Sequence, residues 1–234
     1  MMQIKSVILT MGLLLLGCLA ARAGEPYFCT FGNRTLYYER YKAGTQKVIQ
    51  TTTLDIGSVL PDGPGKIVYY GMTLRKPNGR ALYGGTANLT ARIEGNGDVG
   101  MDFGATVKAV LQNLFSRAKI TYSGDAAIMP SQMEVGDVLP DCHCEVKVSA
   151  FTYQIDITGR VVLRKERLIT PAGTYDCVVV RERKVEDGPM HHGDVWSDTW
   201  YAPGIGFVRH DCFDKKMRLE SSEILIEDRR YPTQ

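Results

Sequence analysis

The strongest constraint on this chain is its punctuation. Runs rich in Tyr, Val, Ile and Thr are broken at close intervals by Gly, Pro, Asn and Asp. Successive side chains in a strand point to opposite faces, so such runs bury one face and return through tight turns rather than crossover helices. The runs are Thr35–Tyr41, Lys47–Asp55, Lys66–Arg75, Ala81–Arg92, Glu145–Ile157, Arg160–Leu168, Tyr175–Glu182, Val195–Tyr201, Gly206–Arg209 and Met217–Ile226. They predict a mainly β fold built as an antiparallel sheet.

The turns carry their own chemistry. Asn78-Gly79 and Asn96-Gly97 suit type I′ hairpins, whose two central residues need positive φ. Ala202-Pro203-Gly204-Ile205 fits a type II turn, with proline presetting φ and glycine accepting positive φ. One segment breaks the β rhythm. Val107, Val110, Leu111, Leu114 and Phe115 fall at helical spacing, which predicts one amphipathic helix over Ala105–Ser116, packed across the sheet.

Ile56-Gly57-Ser58-Val59-Leu60-Pro61-Asp62 resembles Val135-Gly136-Asp137-Val138-Leu139-Pro140-Asp141, and Gly79-Arg80 and Gly159-Arg160 follow as hairpin signals. Either two quasi-repeated halves (about 29–123 and 124–226) share one continuous sheet, or turn-rich sequence matches by chance.

The first residues read as an export signal. Lys5 precedes a ten-residue apolar run, Val7–Leu16, and Ala21-Arg22-Ala23 offers small residues for cleavage after Ala23. The run is too short to span a bilayer, and no other run is long enough. Leu15-Leu16-Gly17-Cys18 competes with this reading as a lipobox that would anchor the chain through Cys18. Removing residues 1–23 leaves residues 24–234 as a single β-rich domain and takes away Lys5 and Arg22. The charge is then balanced at 26 basic and 26 acidic residues. A balanced chain lacks the clustered basic charge that nucleic acid or an anionic membrane surface requires. An exported, periplasmic or cell-envelope location follows.

Five cysteines remain: Cys29, Cys142, Cys144, Cys177 and Cys212. Export permits disulfides, and an odd count leaves at least one thiol unpaired in the monomer.

Three motifs in order carry a family resemblance. Ser123-Gly124-Asp125 through Met129-Pro130-Ser131-Gln132-Met133 leads into Val135–Asp141. Thr170-Pro171-Ala172-Gly173-Thr174-Tyr175-Asp176-Cys177 follows, and then Thr199-Trp200-Tyr201-Ala202-Pro203-Gly204-Ile205-Gly206-Phe207-Val208-Arg209. The chain resembles the TapB-like family, exported β-rich proteins common in Bacteroidetes and related to a domain of unknown function. The resemblance runs from about Cys29 to Ile226. It implies a curved antiparallel sheet or half-barrel, similar to periplasmic lipoprotein carriers, and no known reaction. It also implies that Cys29 pairs with Cys177, since both fall in family-like motifs. Cys142, Cys144 and Cys212 stand where the family would not place cysteine.

Motifs for chemistry fail on spacing. Gly95-Asn96-Gly97-Asp98-Val99-Gly100 spells a dinucleotide fingerprint, but no helix opens directly after it, so a hairpin is expected. Cys142-His143-Cys144 would put its cysteines on one strand face and His143 on the other. Further ligands would have to come from His191, His192 or Cys212, so no metal is expected. His191-His192 falls in a polar hairpin loop. No catalytic motif or cofactor signature is present, so no enzymatic role is expected.

Trp196 and Trp200 share one strand face with Asp198 between them. They are either core or the apolar wall of a groove. The groove candidates are Leu111, Leu114, Phe115, Trp196 and Trp200, with the helix as one wall and the tryptophans opposite. The expected activity is non-enzymatic binding of an apolar small molecule, lipid or peptide, or a structural role, with oligomeric state open. A hydrolase assembled from dispersed residues is the alternative. A buried polar cluster would favour the hydrolase and a smooth apolar concavity the binder.

Overall fold

The computed structural model describes residues 24–149, 151–189 and 191–232, so the expected signal segment and Cys18 lie outside the described residues. Among the described residues thirteen strands form one sheet, all pairs antiparallel, in the order β6-β8-β9-β10-β11-β12-β13-β1-β2-β3-β4-β5-β7. Two meanders make it. The first is β1 (Arg34–Lys42), β2 (Val48–Asp62), β3 (Gly65–Arg75), β4 (Ala81–Ile93) and β5 (Val99–Met101). After the helix α1 (Phe103–Leu114) come the short β6 (Ile120–Gly124) and β7 (Ala127–Met129). The second meander is β8 (Cys142–Val148), β9 (Phe151–Thr170), β10 (Gly173–Gly188), β11 (His191–Ala202), β12 (Gly206–Phe213) and β13 (Leu219–Arg230). Pairing of β13 with β1 joins them. The sheet is open and curved, and among the described residues no strand pairing closes it into a barrel.

Strict alternation selects the inner face. On β1, Arg34, Leu36 and Tyr38 are buried, and their partners Leu54 and Ile56 on β2 and Leu225 on β13 are buried with them. The lower half of this face is filled by two segments without regular structure of their own. The N-terminal stretch inserts Phe28 and Cys29, and the stretch after β7 inserts Met133 and Leu139. Arg160, 1% exposed, fastens the second stretch by donating to the carbonyls of Ile128 and Pro140. Its guanidinium also meets Glu182, whose carboxyl is raised by burial.

Helix α1 begins where Asp102 caps it, its carboxylate accepting from the Ala105 amide at 2.7 Å. It packs against β4 on one side and β6 and β8 on the other, where the sheet's two ends approach. Asn113 donates to the Thr86 carbonyl on the part of β4 that β5 does not reach.

Several expectations are corrected. Gly79 and Gly97 have positive φ but Asn78 and Asn96 do not. The amides of Gly79 and Gly97 bond back to Lys76 and Glu94, so these turns are type I followed by a left-handed glycine. Pro77 at the second turn position excludes positive φ there. The first copy of the repeated heptapeptide lies in β2, whereas the second forms a turn-rich edge beside β9. Gly159-Arg160 is not a hairpin but a kink inside β9, with φ +61 at Gly159. The run Glu145–Ile157 is cut by a turn at Ser149, φ +49. The Ala202–Ile205 turn matches its expectation, with the Ile205 amide on the Ala202 carbonyl and Gly204 at φ +69.

Candidate functional site

The upper half of the inner face is polar. Cross-strand register brings one side chain from each of several strands into a row. Thr199 on β11 lies beside His210 on β12, His210 beside Glu223 on β13, and Glu223 beside Arg40 on β1. Glu223, 4% exposed, accepts from Arg40 Nη2 at 2.7 Å and from Thr52 Oγ1 at 2.5 Å. His210 Nδ1 and Thr199 Oγ1 share a hydrogen bond of 2.8 Å. The neighbouring row holds Ser197, Cys212 and Ser221. Lys184 on β10 shares this face with Ile157 and pairs with Glu186 at 2.9 Å. Arg40, Lys184, His210 and Cys212 are each partly exposed, so solvent reaches this half of the concavity.

The electrostatics set what the cluster can do. Burial, with the Arg40 charge beside it, lowers the His210 pKa to about 4, so the ring is neutral at neutral pH. Burial raises the Cys212 thiol and keeps it protonated, although Arg40 opposes this. A base of such low pKa accepts protons poorly near pH 7, and a thiol is a weaker nucleophile than a thiolate. Thr199, the hydroxyl on His210, is 4% exposed and closed to a substrate carbonyl. The arrangement is fitted to hold polar groups by hydrogen bonds.

Facing this polar row from the same side of the sheet is an apolar flank. Phe103 and Val107 of α1 pack on Ala127, Cys142, Cys144, Ile155 and Ile157. Leu111 and Phe115 pack against Ile120, Val146, Val148, Phe151 and Tyr153.

The predicted groove set is therefore divided. Leu111 is buried and Phe115 half-buried in the helix–sheet contact, while Leu114 is 49% exposed. Trp196 and Trp200 share a face, as the alternation required, but it is the opposite face from the helix. They pair with Arg183 and Val179 on β10, one residue out of step with inward Lys184 and Val180. Trp200 is buried between the guanidiniums of Arg164 and Arg209, 5.2 and 4.7 Å from its ring, and donates to Glu166. The two walls of the expected groove do not meet.

The expected Cys29–Cys177 disulfide is also corrected: all five described cysteines are free. Cys29 lies under Arg34, which donates to its sulfur at 3.5 Å, while the Cys177 sulfur turns to the Tyr175 carbonyl. Burial pushes the Cys144 and Cys177 thiols up to about 12. Cys142 and Cys144 occupy the buried face of β8 and His143 the exposed one, where it pairs with Asp156 at 2.5 Å. Among the described residues no three His, Cys, Asp or Glu side chains are grouped to hold a metal ion. His192 is exposed on β11 beside Asp187. Gly95–Gly100 forms the β4–β5 hairpin, as expected.

Sequence reasoning missed Arg40, Thr52, Lys184, Thr199, His210 and Glu223. No local motif marks them, because only the register assembles the cluster. Among the described residues no helix is long and apolar enough to cross a membrane.

The DUF3108-like family model matches residues 34–225. The chain belongs to the DUF3108-like family. Two solved structures share the fold. One, from Bacteroides fragilis NCTC 9343, is described as an exported protein with a YmcC-like fold. It is 22% identical, with 87% of this chain and 98% of that chain covered and a TM-score of 0.69. The other, from Parabacteroides distasonis ATCC 8503, is described as a lipoprotein. It is 18% identical, with 88% and 99% covered and a TM-score of 0.71. A comparison with curated proteins finds no match.

Proposed function

We propose that this DUF3108-like chain is an exported cell-envelope protein of the TapB-like kind that binds an extended, partly apolar ligand without turning it over. Export rests on the signal-like segment ending at Ala23, and the two structural relatives are described as exported and as a lipoprotein. The ligand lies on the upper inner face. Its apolar part follows the part-exposed Phe103, Val107 and Tyr153 at the rim of that flank, and its polar end meets Lys184, Arg40 and His210.

The observation that carries this reading is the tuning of the polar cluster. Its histidine is neutral, its thiol is protonated and its carboxylate is held by Arg40 and Thr52. Such groups recognise a ligand at neutral pH but do not drive acid–base chemistry. The hydrolase reading has two points in its favour, the buried polar cluster itself and the nucleophile-to-base hydrogen bond between Thr199 and His210. Turnover of p-nitrophenyl butyrate separates the two. Binding alone predicts no hydrolysis above the buffer rate, together with co-purified amphiphile in the mass spectrum of protein taken from the envelope. Hydrolysis that disappears in His210→Ala would establish the enzyme instead. N-terminal sequencing of the same material is expected to begin at Gly24; a lipid-modified Cys18 would place the protein on a membrane anchor.

A further inference from the structure

We propose a second site, on the outer face of β2, β3 and β4, that takes a neutral saccharide. A cross-strand row on this face runs Thr35, Asp55, Gly71, Asn88. Gly71 contributes no side chain, and the Thr86 methyl leans over it, 2.9 Å from where a Cβ would stand, so the groove between the carboxylate of Asp55 and the amide of Asn88 is shallow with an apolar floor. These two stand two strand spacings apart, about 10 Å. The next row on the same face is Tyr69 and Thr90, with the tyrosine 42% exposed. The register shift between Ile56 and Val59 brings Ser58 to one end, and Ala105 of α1 closes the other. The groove is open to solvent and measures about 450 Å³, within the roughly 300–1,000 Å³ range of small-molecule sites.

The lining selects the ligand. An exposed tyrosine ring offers an apolar flank to the C–H face of a sugar. A carboxylate, an amide and two hydroxyls at its edges supply acceptors and donors for ligand hydroxyls. Thr35 donates to one Asp55 oxygen at 2.6 Å, which fixes the carboxylate and leaves its other oxygen for a ligand. No lysine or arginine lines the groove, so an anionic ligand finds no counter-charge. The groove is also separate from the concave cluster, since its lining shares no residue with Arg40, Thr52, Lys184, Thr199, His210, Cys212 or Glu223.

Calorimetric titration with cellotriose, mannotriose and N-acetylchitotriose, and with trigalacturonate as the anionic control, tests this. At least one neutral trisaccharide is expected to bind and trigalacturonate not to bind. Tyr69→Ala is expected to weaken binding by about tenfold or more, a free-energy change of roughly 1.4 kcal/mol. Tyr69→Phe keeps the ring and is expected to retain binding, as is Lys184→Ala on the inner face. Asn88→Ala provides a second variant at an exposed position. Circular dichroism confirms that each variant is folded. Failure of all three neutral sugars to bind at millimolar concentration, binding of trigalacturonate alone, or affinity unchanged in both Tyr69→Ala and Asn88→Ala would overturn the proposal.

Discussion

Glu223 is a buried carboxyl group whose oxygens accept from Arg40 and Thr52, and His210 is its neighbour in the register. The histidine has a problem of its own, since its charged form has no room in the fold. Its pKa falls from the usual range to about 4, so the unfolded chain binds the proton first as pH drops. Stability is therefore full above about pH 6.5 and is lost toward pH 4, by an amount on the order of 3 kcal/mol from this group. Glu182 works in the other direction, because burial raises its pKa and favours the folded state once it is protonated. Urea denaturation of wild type and His210→Gln at pH 7 and pH 4.5 isolates the histidine. The variant is expected to lose less stability over that interval, and an equal loss in both proteins would contradict the assignment. Trp200 poses a second question at this scale, core or groove. Buried between two guanidiniums and bonded to Glu166, it is expected to cost roughly 3–5 kcal/mol as Trp200→Ala. A variant that keeps wild-type stability would show that the ring is not part of the packed structure.

At the scale of elements, α1 matters most because it covers the place where the ends of the sheet approach. Leu111→Ala is expected to cost roughly 2–5 kcal/mol in denaturant. Leu114→Ala, one turn on but exposed, is expected to stay within about 0.5 kcal/mol. Equal effects would mean that the helix is rotated from its described position. Arg160→Met is expected to cost roughly 3–5 kcal/mol, because it leaves Glu182 buried without its partner and frees the clamp on Ile128 and Pro140. The helix was legible from Val107, Leu111 and Phe115, since an apolar stripe at that spacing has one consistent use. Its start was not, because the capping role of Asp102 depends on where the side chain turns. Long strands were legible for the same reason as the helix, their alternation being a direct image of two faces. β5, β6 and β7 are three to five residues each, too short for a period to show. The turn at Ser149 lacked the glycine that marks most turns, and Gly159 supplied a false mark inside β9.

For the whole molecule, the decisive contact is the pairing of β13 with β1, which unites chain segments about 190 residues apart. The candidate site depends on it: Arg40 and Glu223 are 183 positions apart and meet only across that pair. Sequence patterns report local period and turn chemistry, so a site built by such pairing left no trace in them. The tryptophan wall failed on a related point. Two residues known to share a face do not reveal which face it is until the register with β10 is set. The thiols also belong to this scale, because they are dispersed through separate parts of the core. Titration in denaturant is expected to count a free thiol for each of Cys29, Cys142, Cys144, Cys177 and Cys212, and an oxidised pair in protein from the envelope would contradict the structure. The central claim, a ligand seat on the upper inner face with a polar end and an apolar flank, is tested most directly by titrating an anthroyloxy-labelled stearate into wild type and Lys184→Ala at pH 7. The account predicts saturable fluorescence enhancement, with affinity weakened about tenfold by loss of the lysine at the polar end. No saturable binding by folded wild type, or equal affinity in the two proteins, would contradict it.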